Sequence, residues 1–145
     1  MRETGRGAHA TQGDLATPSK EDLRSIIQSD DAETLVKWAD RLGRDLARSL
    51  STSQIRGIFG TVRKIEMNWR EEGDQARQMR ARRDLLLLKP KLAYQAKKER
   101  GRGVKEFANV LLPAIDMVEN DTENFHRFVD FVEAILAYHK AHGGT

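Results

Sequence analysis

The chain has 145 residues and a net charge of +3, with 39% hydrophobic and 32% charged residues, three prolines and no cysteine. That length suits one domain around a single core, and the lack of cysteine excludes disulfides, thiolate metal sites and a cysteine nucleophile. The longest apolar run is Leu85-Leu86-Leu87-Leu88, far below the ~20 residues of a membrane span, and Met1 to Pro18 has no apolar segment like a signal peptide's, so a cytoplasmic chain without membrane contact is expected.

Charge is unevenly distributed. Met1 to Ser51 carries 8 basic and 9 acidic residues, Thr52 to Lys105 carries 15 and 6, and Glu106 to Thr145 carries 2 and 7. A basic block between two acidic ones is the footprint of a nucleic-acid contact or of docking to an acidic neighbour, with plain solvation as the bland reading.

In chain order, residues 1–18 mix Gly, Thr, Ala and charge without periodicity and read as a disordered tail, leaving 19–145 as a single domain. Ser19, with Asp22 three residues on, has the pattern of a capping box for a short first helix with Leu23, Ile26 and Ile27 on its apolar stripe. A second helix begins near Asp31, and the spacing of Leu35, Trp38, Ala39, Leu42 and Leu46 buries Trp38 as core. Ser51 to Ser53 cap a third helix, whose stripe is Ile55, Ile58, Phe59, Val62, Ile65 and Trp69. Arg56, Arg63 and Arg70 recur every seven residues along its flank, and Gly57 and Gly60 lie away from its core. Those glycines read equally as tolerated helix glycines or as room for another backbone, each costing up to ~1 kcal/mol of helix propensity.

Glu71 to Asp74 break the pattern, and Gly73 to Arg82 read as a loop or frayed helix holding most of the cluster Arg77, Arg80, Arg82 and Arg83. The fourth helix carries Leu85, Leu88, Leu92 and Ala96 on one stripe, and Lys91 and Lys98 on another beside Leu87 and Tyr94. Pro90 either starts its regular part or kinks it. Tyr94 reads as a packing residue before a base-stacking one. After the basic turn Glu99-Arg100-Gly101-Arg102-Gly103, the residues Val104, Phe107, Ala108, Leu111, Ile115 and Val118 give a fifth helix that Pro113 bends. Thr122 is the expected cap of a last, deeply packed helix with Phe125, Phe128, Val129, Val132, Ile135, Leu136 and His139 inward, stopped by Gly143-Gly144. No segment has strand period, so the expected fold is all-α, a compact bundle of five to six helices.

Chemistry is sparse. His139 and His142 could share a metal at i, i+3, but no carboxylate motif accompanies them, and neither a nucleophile elbow nor a phosphate-binding loop is present. No catalytic residue, metal or cofactor is expected.

Three blocks carry a resemblance: Thr52-Ser53-Gln54-Ile55-Arg56, then Leu88-Lys89-Pro90-Lys91-Leu92-Ala93-Tyr94-Gln95-Ala96, then Phe125 to Lys140 with Phe125, Phe128 and Phe131 leading into Glu133-Ala134-Ile135-Leu136-Ala137-Tyr138-His139-Lys140 and the Gly143-Gly144 stop. In order and spacing they resemble the small helical subunit of type III-A CRISPR effector complexes, the Csm complex. Lys97-Lys98 stand where such subunits often have Gly-Arg. The resemblance implies a non-catalytic, all-helical RNA-binding subunit of an antiviral defence complex. Its expected partners are single-stranded guide and target RNA, copies of itself and the other effector subunits. Counterion release by Lys and Arg then makes binding salt-dependent and nearly sequence-independent. The candidate RNA-binding residues are Arg56, Arg63, Lys64, Lys91, Lys98, Arg127 and Lys140, with Lys89 and Lys97 as weaker candidates. The competing expectation is a helical adaptor that docks acidic proteins without nucleic acid.

Overall fold

The computed structural model describes residues 15–69, 75–98 and 101–145. Among these the chain forms six helices and no strand: α1 (Lys20–Gln28), α2 (Ala32–Leu46), α3 (Thr52–Asn68), α4 (Gln75–Lys98), α5 (Gly103–Val118) and α6 (Thr122–Ala141). Arg70, Glu71 to Asp74 and Glu99-Arg100 lie outside the described residues, as do the first fourteen of the tail.

Side-chain caps set most starts. Ser19 Oγ accepts from the Asp22 amide at 3.0 Å, which satisfies an orphan first-turn donor. The expected reciprocal bond is replaced by a tertiary one, because the Asp22 carboxylate accepts from Trp38 Nε1 at 2.9 Å. Trp38 is consequently half-buried at the α1–α2 seam rather than in the core. Asp31 caps α2 by accepting from the Thr34 hydroxyl and amide, and those two bonds hold its carboxyl below its ordinary value of 3.8. Ser51 and Gln54 form a complete capping box on α3. The last helix is capped by Asp121, not Thr122; the Thr122 hydroxyl instead accepts from Trp69 Nε1 at 3.2 Å.

α6 is the central element. Phe125, Phe128, Phe131, Val132 and Ile135 are fully buried on it, and it packs against α1, α2, α3 and α5. Its most extensive pairing is with α2. That crossing is close because a Cβ on Gly43 would lie 2.6 Å from Tyr138 Cβ and 2.7 Å from the His139 amide nitrogen. The glycines singled out from sequence, Gly57 and Gly60, have nothing within 4 Å of such a Cβ.

The segment read as loop or frayed helix is the first part of α4, which starts at Gln75 and runs without interruption through Pro90. Ala81 is buried there and sets the same stripe as Leu85, Leu88 and Leu92, so the arginine cluster is spread around a packed helix. Arg82 is folded inward, its guanidinium 5.5 Å from the Trp69 ring centroid.

The contrast between glycines is testable by chemical denaturation. Gly43→Ala is expected to lose about 1–3 kcal/mol through overpacking, whereas Gly60→Ala gains up to about 1 kcal/mol of helix propensity. Equal midpoints for the two variants would contradict the close α2–α6 crossing.

Candidate nucleic-acid interface

α3 and α4 form an antiparallel hairpin. At one end Ser53, Gln54, Gly57 and Ile58 share an open cleft with Gln95 and Val104. At the other, Arg77 Nε donates to Asn68 Oδ1 at 2.8 Å. With Ile55, Ile58, Val62 and Ile65 inward, the helical repeat puts Gly57 and Lys64 on the flank of α3 that faces α4, and Arg56 and Arg63 on the opposite flank. On α4, Lys91 and Lys98 lie four residues before and three after Gln95, hence on the face that lines the cleft.

The five candidate cations of α3 and α4 thus lie on solvent-facing parts of the hairpin, Lys64, Lys91 and Lys98 on its facing flanks and Arg56 and Arg63 on the flank of α3 turned away from α4. Arg56, Lys64, Lys91 and Lys98 are exposed there. Arg63 is exposed too, but its guanidinium pairs with Glu66 one turn on and lies 6.0 Å from the Phe59 ring centroid. α6 is antiparallel to α3, since Thr52 bonds to Gly144 while Trp69 bonds to Thr122. Exposed Lys140 thus stands at the same end as Arg56.

Arg127 does not join them. Its side chain is only 20% exposed and lies on the other flank of α6, where the guanidinium donates to the Ile27 carbonyl at 2.8 Å, Asp30 at 2.8 Å and Asn124 Oδ1 at 3.0 Å. Asp30, Asp31 and Asp130 surround it in one recess. The geometry makes it a clamp between α6 and the end of α1. Lys89 is likewise engaged, paired with Asp116 of α5, while Lys97 is exposed.

Tyr94, read as a packing residue, is 65% exposed. The Lys98 ammonium lies 5.8 Å from its ring centroid, and Leu87 is exposed two turns before it on the same stripe. Arg80 and Arg83, absent from the sequence-derived set, extend this stripe toward the start of α4 and are exposed. Their signal was in the sequence, as Arg80, Leu87, Lys91, Tyr94 and Lys98 keep helical spacing once the helix is known to begin at Gln75.

The histidines do not converge. His139 is fully buried, with Nε2 2.6 Å from the Leu50 carbonyl, which fixes the proton on Nε2. His142 Nε2 instead meets Asp40 Oδ1 at 2.6 Å. Among the described residues no group of His, Asp and Glu could hold a metal ion.

The described residues thus define a small all-α domain with a cationic hairpin face, and no described helix is long and apolar enough to cross a membrane. The family model for Csm2 Type III-A matches residues 29–145, and the chain belongs to that family, a small subunit of the type III-A Csm complex. The match begins before α2, so it takes in the α2–α6 crossing as well as the three blocks recognised from sequence, and leaves α1 outside. No curated protein and no solved structure matched.

The role of Arg127 can be separated from that of the hairpin cations. Arg127→Ala is expected to lower unfolding free energy by about 1.5–3 kcal/mol, the range for charge-assisted hydrogen bonds, while the salt dependence of polyanion binding stays that of the parent chain. A change in salt slope without loss of stability would return it to the interface.

Proposed function

We propose that this chain is a non-catalytic subunit of a cytoplasmic CRISPR ribonucleoprotein that holds single-stranded guide and target RNA by the sugar-phosphate backbone. The observation that supports the reading is that Lys64, Lys91 and Lys98 are exposed on the facing flanks of α3 and α4, with Arg56 exposed on the other flank of α3. Membership of the Csm2 Type III-A family supports a place in the complex, and its other subunits and further copies of this chain are the expected neighbours.

The mechanism is neutralisation of phosphates with release of condensed counterions, which carries no sequence information. A guide that reads its target by base pairing needs a protein that holds any sequence. Tyr94 and Leu87 add an apolar surface between the cations on which bases can rest. Arg63 contributes less than its neighbours, because Glu66 already neutralises it.

Reversing Lys91 and Lys98 to Glu is expected to weaken single-stranded RNA binding at least tenfold with helical content unchanged by circular dichroism. The parent chain's log–log salt slope is expected near −3 for about four phosphates, at roughly −0.7 each. Equal RNA affinity for parent and double variant would sink the site, and equal retention on RNA and polyglutamate-blocked resin would favour the adaptor reading. With magnesium or manganese present, RNA incubated with the purified chain is expected to stay intact; cleavage co-eluting with it through size exclusion would refute a non-catalytic role.

A further inference from the structure

We propose that the open cleft between α3 and α4 seats an unstacked nucleobase of the bound strand. The inference rests on the RNA-binding reading and adds a second kind of contact to it. The cleft has a volume of ≈ 250 Å³ and is lined by Ser53, Gln54, Gly57, Ile58, Gln95 and Val104. None of these is charged, so the lining suits a neutral ligand and not a phosphate. Ile58 and Val104 supply aliphatic surface, while Ser53 and Gln95 supply a hydroxyl and a side-chain amide. That combination matches a nucleobase, which has apolar faces and a polar edge.

Cations stand at the rim. Lys91 and Lys98 flank Gln95 by about one turn on each side. A strand whose phosphates follow those charges passes over the cleft, where a base can turn in.

Gly57 is the strongest sign that the cleft is kept open. A Cβ there would meet nothing within 4 Å, so packing inside the chain does not require glycine, although glycine costs about 1 kcal/mol relative to alanine within a helix. A larger side chain at this position would project into the cleft. The Gln95 side chain is exposed and makes no hydrogen bond among the described residues, which leaves its amide available to a base edge. Gln54, by contrast, is occupied by the capping box and contributes only shape.

The test compares a fluorescein-labelled single-stranded RNA with an abasic ribose-phosphate oligomer of equal length, by anisotropy on the full chain. The parent is expected to bind the base-bearing strand about tenfold more tightly, the scale of one seated base. Gly57→Leu, which fills the cleft, is expected to lower the ratio of the two affinities severalfold, to what the Tyr94 and Leu87 surface alone supplies, and Gln95→Ala to lower it by less. Circular dichroism reports whether each variant remains folded. A parent ratio near one, or an undiminished ratio in folded Gly57→Leu and Gln95→Ala, would overturn the base seat while leaving backbone binding intact. Failure of the parent to bind either polymer would overturn both.

Discussion

The indole of Trp69 lies flat on Phe125, with ring centroids 4.1 Å apart and planes 6° from parallel. Its Nε1 donates to Thr122 at the start of α6, and Arg82 of α4 covers its other side. One side chain at the exit of α3 therefore joins three helices. Burying a ring of this size contributes a large share of local packing, and the stacked geometry adds roughly 0.5–1.5 kcal/mol beyond area. The orientation of the α3–α4 hairpin, and so the position of every cation on it, depends on this contact. At the opposite end of α3, Thr52 bonds to Gly144 and His139 bonds to Leu50, so α3 is fixed against α6 at both ends.

Packing explains which cations face outward. Lys89 and Arg82 sit near the core stripe of α4 and are drawn to Asp116 and to Trp69. Lys91 and Lys98, on either side of Gln95, are exposed, Lys98 with its ammonium 5.8 Å from the ring centroid of the likewise exposed Tyr94. Arg127 shows the alternative outcome: placed beside a helix end whose carbonyls lack intrahelical partners, it binds Ile27, and the aspartates around it complete the site. A basic residue at an expected interface is thus sorted by what its helix packs against as much as by its own helical angle.

Helix starts and core stripes were legible because capping and amphipathic spacing are local properties. Ser51 with Gln54, Asp31, and the stripes of α3 and α6 all follow from residues within a few positions of one another. The misreadings arose from tertiary contacts. Trp38 leaves the core to bond Asp22, and Thr122 serves Trp69 while Asp121 takes the cap. Residues 75–82 read as loop or frayed helix from the break before them and their charge density, since the pattern does not show that Ala81 meets the core and holds the segment helical. Gly43 was passed over because nothing in its own sequence neighbourhood reveals that Tyr138 crosses there. That Arg56 and Arg63 share one flank of α3, and Lys91 and Lys98 one flank of α4, was legible from their seven-residue spacing. That α3 and α4 pair antiparallel, bringing Gln95 beside Gly57, is a matter of topology that no single helix encodes.

A net charge of only +3 does not limit a polyanion contact of this kind. At physiological ionic strength the Debye length is about 8 Å, less than or equal to the 8–10 Å between neighbouring helix axes. The aspartates around Arg127 share a recess with Ile26 of α1, on a different side of α6 from the contacts with α3, and on the proposed reading salt weakens their effect on a strand at the α3–α4 cleft. On the proposed reading such a strand meets exposed cations such as Lys64, Lys91 and Lys98, with Arg63 partly offset by its pair with Glu66. Lowering the salt lengthens the screening distance and lets the acidic flank act as well. On the proposed reading its repulsion then disfavours any approach except the one that turns the hairpin face toward the strand.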